Sequence, residues 1–175
     1  MFAFFALLRL REYCDGRLLF SHVAKHEWGI QLTVPFSKTS LQPQHIRLTI
    51  RGDHFCPVRA YDAYVSLIHP SLRLHSTSFF RASPSTTAPH SAASFVRDFK
   101  LRVAVHLQLN SAPYAGHSFR RGGTTALFMA GVSETVIAKH GRWRSDVYKH
   151  YFDFDSRQQL LPTQLLLLHS QQQPH

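Results

Sequence analysis

Gly116-His-Ser-Phe-Arg120-Arg-Gly-Gly-Thr-Thr125-Ala-Leu-Phe-Met-Ala130-Gly-Val-Ser133, with His140-Gly-Arg-Trp-Arg-Ser-Asp-Val-Tyr-Lys-His-Tyr151 after it, is the stretch on which the fold turns. Phe119, Gly123, Ala126, Leu127 and Ala130 recur on one helical face, so the spacing predicts an amphipathic helix over 118–130, opening near His117. Gly131 suits the C-terminal end of that helix, and Ser133 suits the N-cap of the next, which carries Val136 and Ile137. Ser145 can cap a third, short helix through Val147, Tyr148 and Tyr151. The stretch reads as helix, tight turn, helix, short helix.

Within it lies chemistry. His117 and Arg120 are three residues apart and face the same way at a helix start, where unpaired backbone N–H groups also point outward. An imidazole beside a guanidinium there suits an oxyanion of a phosphodiester. Arg121 adds a cation, and Gly122 and Gly123 add no side-chain bulk. Taken alone, the pair more often describes a plain solvated helix terminus.

Working outward, Ile30-Gln-Leu-Thr-Val34 and His45-Ile-Arg-Leu-Thr-Ile50 both alternate with period two, which predicts a hairpin carrying Pro35-Phe-Ser-Lys38-Thr in its connection. Cys56-Pro-Val-Arg-Ala opens a helix with Pro57 in its first turn and Val58, Tyr61, Val65 and Ile68 on one stripe. The apolar run 2–8 is too short for a signal peptide and lacks a basic flank, so it reads as a core helix. Residues 76–94, rich in Ser, Thr, Pro and Ala, read as a loop or linker, and Phe95, Phe99 and Val103 mark a helix beyond it. The expected class is α+β, mainly helical with a small antiparallel hairpin. Residues 1–155 form one domain, and 156–175 form a tail whose leucines from Leu160 suit a packing or partner helix that frays into a polar, disordered end.

The stretch 116–151 resembles the C-terminal half of the tyrosine recombinase (phage integrase) catalytic domain. Gly141-Arg-Trp-Arg-Ser-Asp-Val-Tyr-Lys-His-Tyr151 is most similar to the eukaryotic mobile-element branch, the Crypton and DIRS-like recombinases. The resemblance spans roughly residues 1–155. It implies a metal-free, cofactor-free enzyme that cuts and rejoins DNA through a 3′-phosphotyrosine, in site-specific recombination or integration. The family's first arginine follows an apolar helix and precedes a glutamate by three residues; Phe4-Phe-Ala-Leu-Leu-Arg9-Leu-Arg-Glu12 fits, with Arg11, two residues on, as the competitor. The family's hairpin lysine matches Lys38, its His/Trp positions match His117 and Trp143, its second arginine matches Arg120, and its nucleophile matches Tyr151, with Tyr148 as the rival tyrosine. By the same resemblance Arg121, Arg142, Arg144 and Lys149 are expected to contact DNA. The family usually carries a separate N-terminal DNA-clamping domain, and this chain starts inside the first matched helix, so weak DNA binding by the chain alone is expected.

Composition agrees with that picture. Twenty Lys+Arg against ten Asp+Glu give a formal charge of +10, which favours a polyanion partner through counterion release. Two cysteines, Cys14 and Cys56, set no disulfide framework and suit a reducing compartment. No apolar run approaches the length of a membrane span. The expected partners are double-stranded DNA and further copies of the chain on paired sites, without membrane or metal, inside the cell with the DNA and in the nucleus of a eukaryote. His22, His26 and Glu27 approach metal-ligand spacing but fall where strand and turn are expected, and the zinc-protease order is absent. The competing functions are a non-catalytic DNA-binding module, since residues 126–140 also resemble a helix-turn-helix, and a domesticated or decayed element kept as a scaffold.

Overall fold

The computed structural model describes residues 1–35 and 42–151. Among these, helices dominate and one three-stranded antiparallel sheet accompanies them, so the chain is α+β.

The N-terminal apolar run is two short helices rather than one. Helix α1 (Phe2–Phe5) ends where Leu7 takes a left-handed backbone, φ 47°, and α2 (Leu10–Tyr13) restarts with Arg9 at its N-cap. A β-branch-free apolar run gives no local reason for the break; an L residue at positive φ is held by tertiary contacts. Those contacts are two guanidiniums bonded to the Leu7 carbonyl, from Arg120 and from Arg142. The correction matters for function, because the break lifts Arg9 out of helical register.

The sheet runs in the order β1 (Val23–His26), β2 (Gly29–Val34) and β3 (Gln44–Thr49). Ile30 pairs with Leu48 and Leu32 with Ile46, which puts those four side chains on one buried face, as period-two alternation requires. Helix α3 (Pro57–Ser66) packs on that face with Pro57 in its first turn. The connection carrying Lys38 lies outside the described residues, as does the tail 156–175.

Residues 76–91 form the expected loop, packed into the core rather than serving as a linker, and the helix that follows takes the last three residues of the stretch. Phe79 is 1% exposed and stacks among Phe2, Phe20, Tyr61, Tyr64 and Phe80. Arg81 is buried with it, donating to the carbonyls of Leu72, Ser78 and Thr86 and to the Thr77 hydroxyl. One arginine thereby satisfies the buried acceptors of a segment too short to satisfy them through a sheet. Helix α4 (Ala92–Leu107) follows, N-capped by Ser91, whose hydroxyl accepts from the Ser94 N–H.

Helices α5 (Ser118–Met129) and α6 (Glu134–Gly141) fall where the sequence puts them, joined through Gly131 at φ 76° and Ser133. Residues Asp146–Tyr151 form a 3₁₀ turn rather than an α-helix. Helix α5 lies directly on α1: a Cβ at Gly123 would overlap the Phe4 carbonyl and the Leu7 side chain, so only glycine permits this approach. Among the described residues no helix is long and apolar enough to cross a membrane.

Candidate functional site

The close packing of α1 on α5 has a chemical consequence, because it brings the chain around Arg9 against the start of α5. Arg9, Leu10, Arg11, Glu12 and Arg17 form one wall of a cleft of about 960 Å³, and Gly116, His117, Arg120, Trp143, Arg144, Ser145, Val147 and Tyr151 form the rest. Five arginines and a histidine thus face a single carboxylate, Glu12, among the residues lining it.

That carboxylate is the hub of the cations. Glu12 is 6% exposed; one oxygen accepts from the Arg9 guanidinium at 2.8 Å, and the other accepts from the Arg9 backbone N–H at 2.8 Å and from Arg142 at 2.6 Å. Arg9 keeps 27% of its side chain exposed toward the cleft. Arg11 is exposed and also lines the cleft, so geometry brings both candidate arginines to the site, with Arg9 the one held by the carboxylate.

Arg120 is 2% exposed. Its guanidinium donates to the Leu7 and Gly141 carbonyls and stacks on the Trp143 ring at 3.9 Å. Burial, then repulsion from Arg9 and Arg142, pulls its pKa down to about 9, with Glu12 and Tyr151 opposing. The physical content is a buried positive charge short of counter-charge; a guanidinium keeps its proton at neutral pH, so the site is relieved by taking up an anion. Burial likewise lowers the Arg142 pKa, against the pull of Glu12.

His117 stands at the N-cap of α5, exposed, and its side chain makes no capping bond. Trp143 is placed by glycine: a Cβ on Gly141 would run into the indole ring. The same ring lies 5.8 Å from both Tyr148 and Tyr151. Those two tyrosines differ in surroundings. Tyr148 is buried, hydrogen-bonded to Glu134, and burial followed by the Glu134 charge raises its pKa. Tyr151 lines the cleft, and its carbonyl accepts from the Thr125 hydroxyl at 2.5 Å.

The structure therefore brings Arg9, His117, Arg120, Trp143 and Tyr151 together, while Lys38 lies outside the described residues. The expected DNA contacts divide. Arg144 is exposed at the cleft and Arg121 is half-buried on α5, whereas Lys149 is ion-paired with Asp146 at 3.0 Å and Glu134 at 3.8 Å. Arg142 is 7% exposed and bonded inward. Sequence reading gave no place to Arg17, which lines the cleft, or to Thr125, which holds Tyr151; a threonine mid-helix carries no functional signal by itself.

His22 and His26 belong to no such cluster: His22 accepts from the Leu19 N–H, and His26 stacks on Trp28. Among the described residues no group of three or more His, Cys, Asp or Glu side chains converges. Comparison of the chain with protein-family models and with curated proteins finds no match.

Proposed function

We propose that the chain is the catalytic domain of a tyrosine recombinase, cleaving and rejoining double-stranded DNA through a 3′-phosphotyrosine in site-specific recombination or integration. One observation carries the reading: five groups of the required chemistry, scattered from position 9 to position 151, line one cationic cleft. The sequence resemblance, which picked out those five groups, supports the same assignment.

The chemistry follows from what each group can do. A tyrosine hydroxyl is only about 0.1% ionised at pH 7, so it needs a proton acceptor and a site that stabilises the phosphorane. Arg9 and Arg120 offset the charge on the non-bridging oxygens, and the developing charge meets a site already short of anion. His117 accepts the Tyr151 proton as the Tyr151 oxygen bonds phosphorus. The bond from phosphorus to the 5′ oxygen breaks, and Lys38 supplies the proton that the leaving oxygen takes. One phosphodiester is exchanged for another, so the reverse step rejoins the strand without ATP. The partners are DNA and further copies of the chain on paired sites, and the setting is wherever the cell keeps its DNA, the nucleus in a eukaryote.

A second reading, DNA binding without cleavage, is favoured by one observation: Arg120 spends donors on two main-chain carbonyls and a face on Trp143. The two readings part on a duplex nicked near the cleavage point, incubated with the chain without metal and resolved under denaturing conditions. A protein–DNA adduct that Tyr151→Phe abolishes supports cleavage. Binding with no adduct from the full-length protein leaves the non-catalytic reading.

A further inference from the structure

Arg142 is out of place for a DNA contact. It is 7% exposed and sits at the C-terminal end of α6 with a left-handed backbone, φ 60°, a conformation that favours glycine. An arginine tolerated there is held by its side chain. That side chain reaches back to the N-terminus of the chain: it donates to the Glu12 carboxylate at 2.6 Å, to the Ala6 carbonyl at 3.1 Å and to the Leu7 carbonyl at 3.3 Å, and also to His140 O at 3.3 Å.

Two of those acceptors, the Glu12 carboxylate and the Leu7 carbonyl, are shared with arginines of the cleft. The Glu12 carboxylate that takes Arg142 also takes Arg9. The Leu7 carbonyl that takes Arg142 also takes Arg120. The next residue in the chain is Trp143, whose ring carries the Arg120 guanidinium. We propose that Arg142 is a positioning residue: it fixes Arg9 through Glu12, and Arg120 through the Leu7 carbonyl, without itself touching DNA. The inference rests on reading the cleft as the DNA-cleavage site.

Like-charged arginines repel, and a carboxylate between two of them is what lets three guanidiniums stand so close. A buried ion pair broken on one side leaves the other charge uncompensated, whereas removing both charges leaves neither exposed to that penalty. Arg142→Gln leaves Glu12 without its buried anchor and paired only with the partly exposed Arg9, so the carboxylate and the arginine it carries lose their fixed position and the fold weakens; Glu12→Gln frees Arg9 directly. The double variant Glu12→Gln with Arg142→Gln recovers stability but leaves Arg9 unheld.

The test uses the full chain, a fluorescent nicked duplex and a salt titration. Binding measured from low to moderate salt gives the slope of log affinity on log salt, which falls by about one when a phosphate contact is lost. The expected result is that Arg142→Gln leaves the slope unchanged in an Arg9→Gln background, where the Arg9 contact is already gone, while in the wild-type background Arg142→Gln and Arg142→Lys lower the rate of adduct formation at saturating DNA tenfold or more. The double variant Glu12→Gln with Arg142→Gln regains the wild-type unfolding midpoint but not the rate. A slope lowered by about one further unit when Arg142→Gln is added to Arg9→Gln overturns the inference, and so does a rate that returns along with stability. If the wild type binds DNA but forms no adduct, the cleavage reading fails and the slope alone decides whether Arg142 is a contact. If the wild type binds no DNA, both fail.

Discussion

The Arg120 guanidinium carbon stands 3.9 Å from the centre of the Trp143 ring, so the indole serves the cleft with its face. An arginine over a tryptophan face in a largely desolvated site is stabilised by about 2 kcal/mol. That stacking, with the Leu7 and Gly141 carbonyls, leaves Arg120 little freedom to swing, and a cation fixed before the substrate arrives loses no ordering entropy when it binds. The same ring touches the 3₁₀ turn that bears Tyr151, so cation and tyrosine are referred to one platform.

Replacing Trp143 by Phe and by Ala separates the ring face from the indole N–H. Phe keeps a surface for Arg120 and is expected to lower stability by about 1 kcal/mol; Ala removes the platform and is expected to cost about 3 kcal/mol in urea unfolding. If the face is what matters, Phe retains adduct formation within about tenfold and Ala does not. Equal losses in both variants would assign the role to the N–H instead.

Tyr148 and Tyr151 are three residues apart, and their burial predicts opposite behaviour. Tyr151→Phe removes the nucleophile and should abolish the adduct with the unfolding midpoint nearly unchanged. Tyr148→Phe loses the hydrogen bond to Glu134 and should cost about 1 kcal/mol while the adduct still forms. An adduct that survives Tyr151→Phe and vanishes with Tyr148→Phe would reverse the assignment.

Buried cations short of counter-charge should make the fold respond to small anions. At a phosphate concentration of ten times its dissociation constant, binding to the native state alone adds about 1.4 kcal/mol. Phosphate and sulfate also stabilise proteins generally by exclusion, so the informative quantity is the difference between wild type and Arg9→Gln. The wild type is expected to gain more, measured as thermal midpoint against phosphate concentration at constant ionic strength. Identical gains would mean that the cleft holds no anion.

Much of this was legible in the residues. The caps at Gly131 and Ser133 bounded α5 and α6, and strict alternation found β2 and β3, because those signals are local. The break at Leu7 was not legible: its cause lies 113 residues away in Arg120 and 135 residues away in Arg142. Residues 76–94 have the composition of a linker, and what overrides composition is Arg81, whose bonds to four partners nothing in the local pattern announces. The site was legible as a set of residue types in order, since a cation and a tyrosine advertise their chemistry. Which arginine faces the cleft and which supports it from behind was not, because charge is visible in a sequence and burial of that charge is not.

Alkaline pH should weaken the fold through Cys14. The thiol, at the C-cap of α2, is fully buried, and burial, then the Asp15 charge, raises its pKa from the ordinary 9.0 to about 12. An acid whose folded pKa is raised holds its proton in the native state after the unfolded chain has released it, so stability is intact below pH 9 and falls as pH climbs from 9 toward 12. Burial raises the Tyr13 pKa in the same direction, extending the loss. Cys14→Ala removes the Cys14 part: between pH 8 and pH 10.5 its unfolding free energy should decline less steeply than that of the wild type, in parallel urea titrations. The converse readout is chemical. Cys14 is free and fully buried, so a thiol reagent at pH 8 should leave it unlabelled in the native protein and label it in urea. Rapid native labelling at Cys14 would show that the site opens well below the global unfolding energy, and the alkaline slope would then belong to another group.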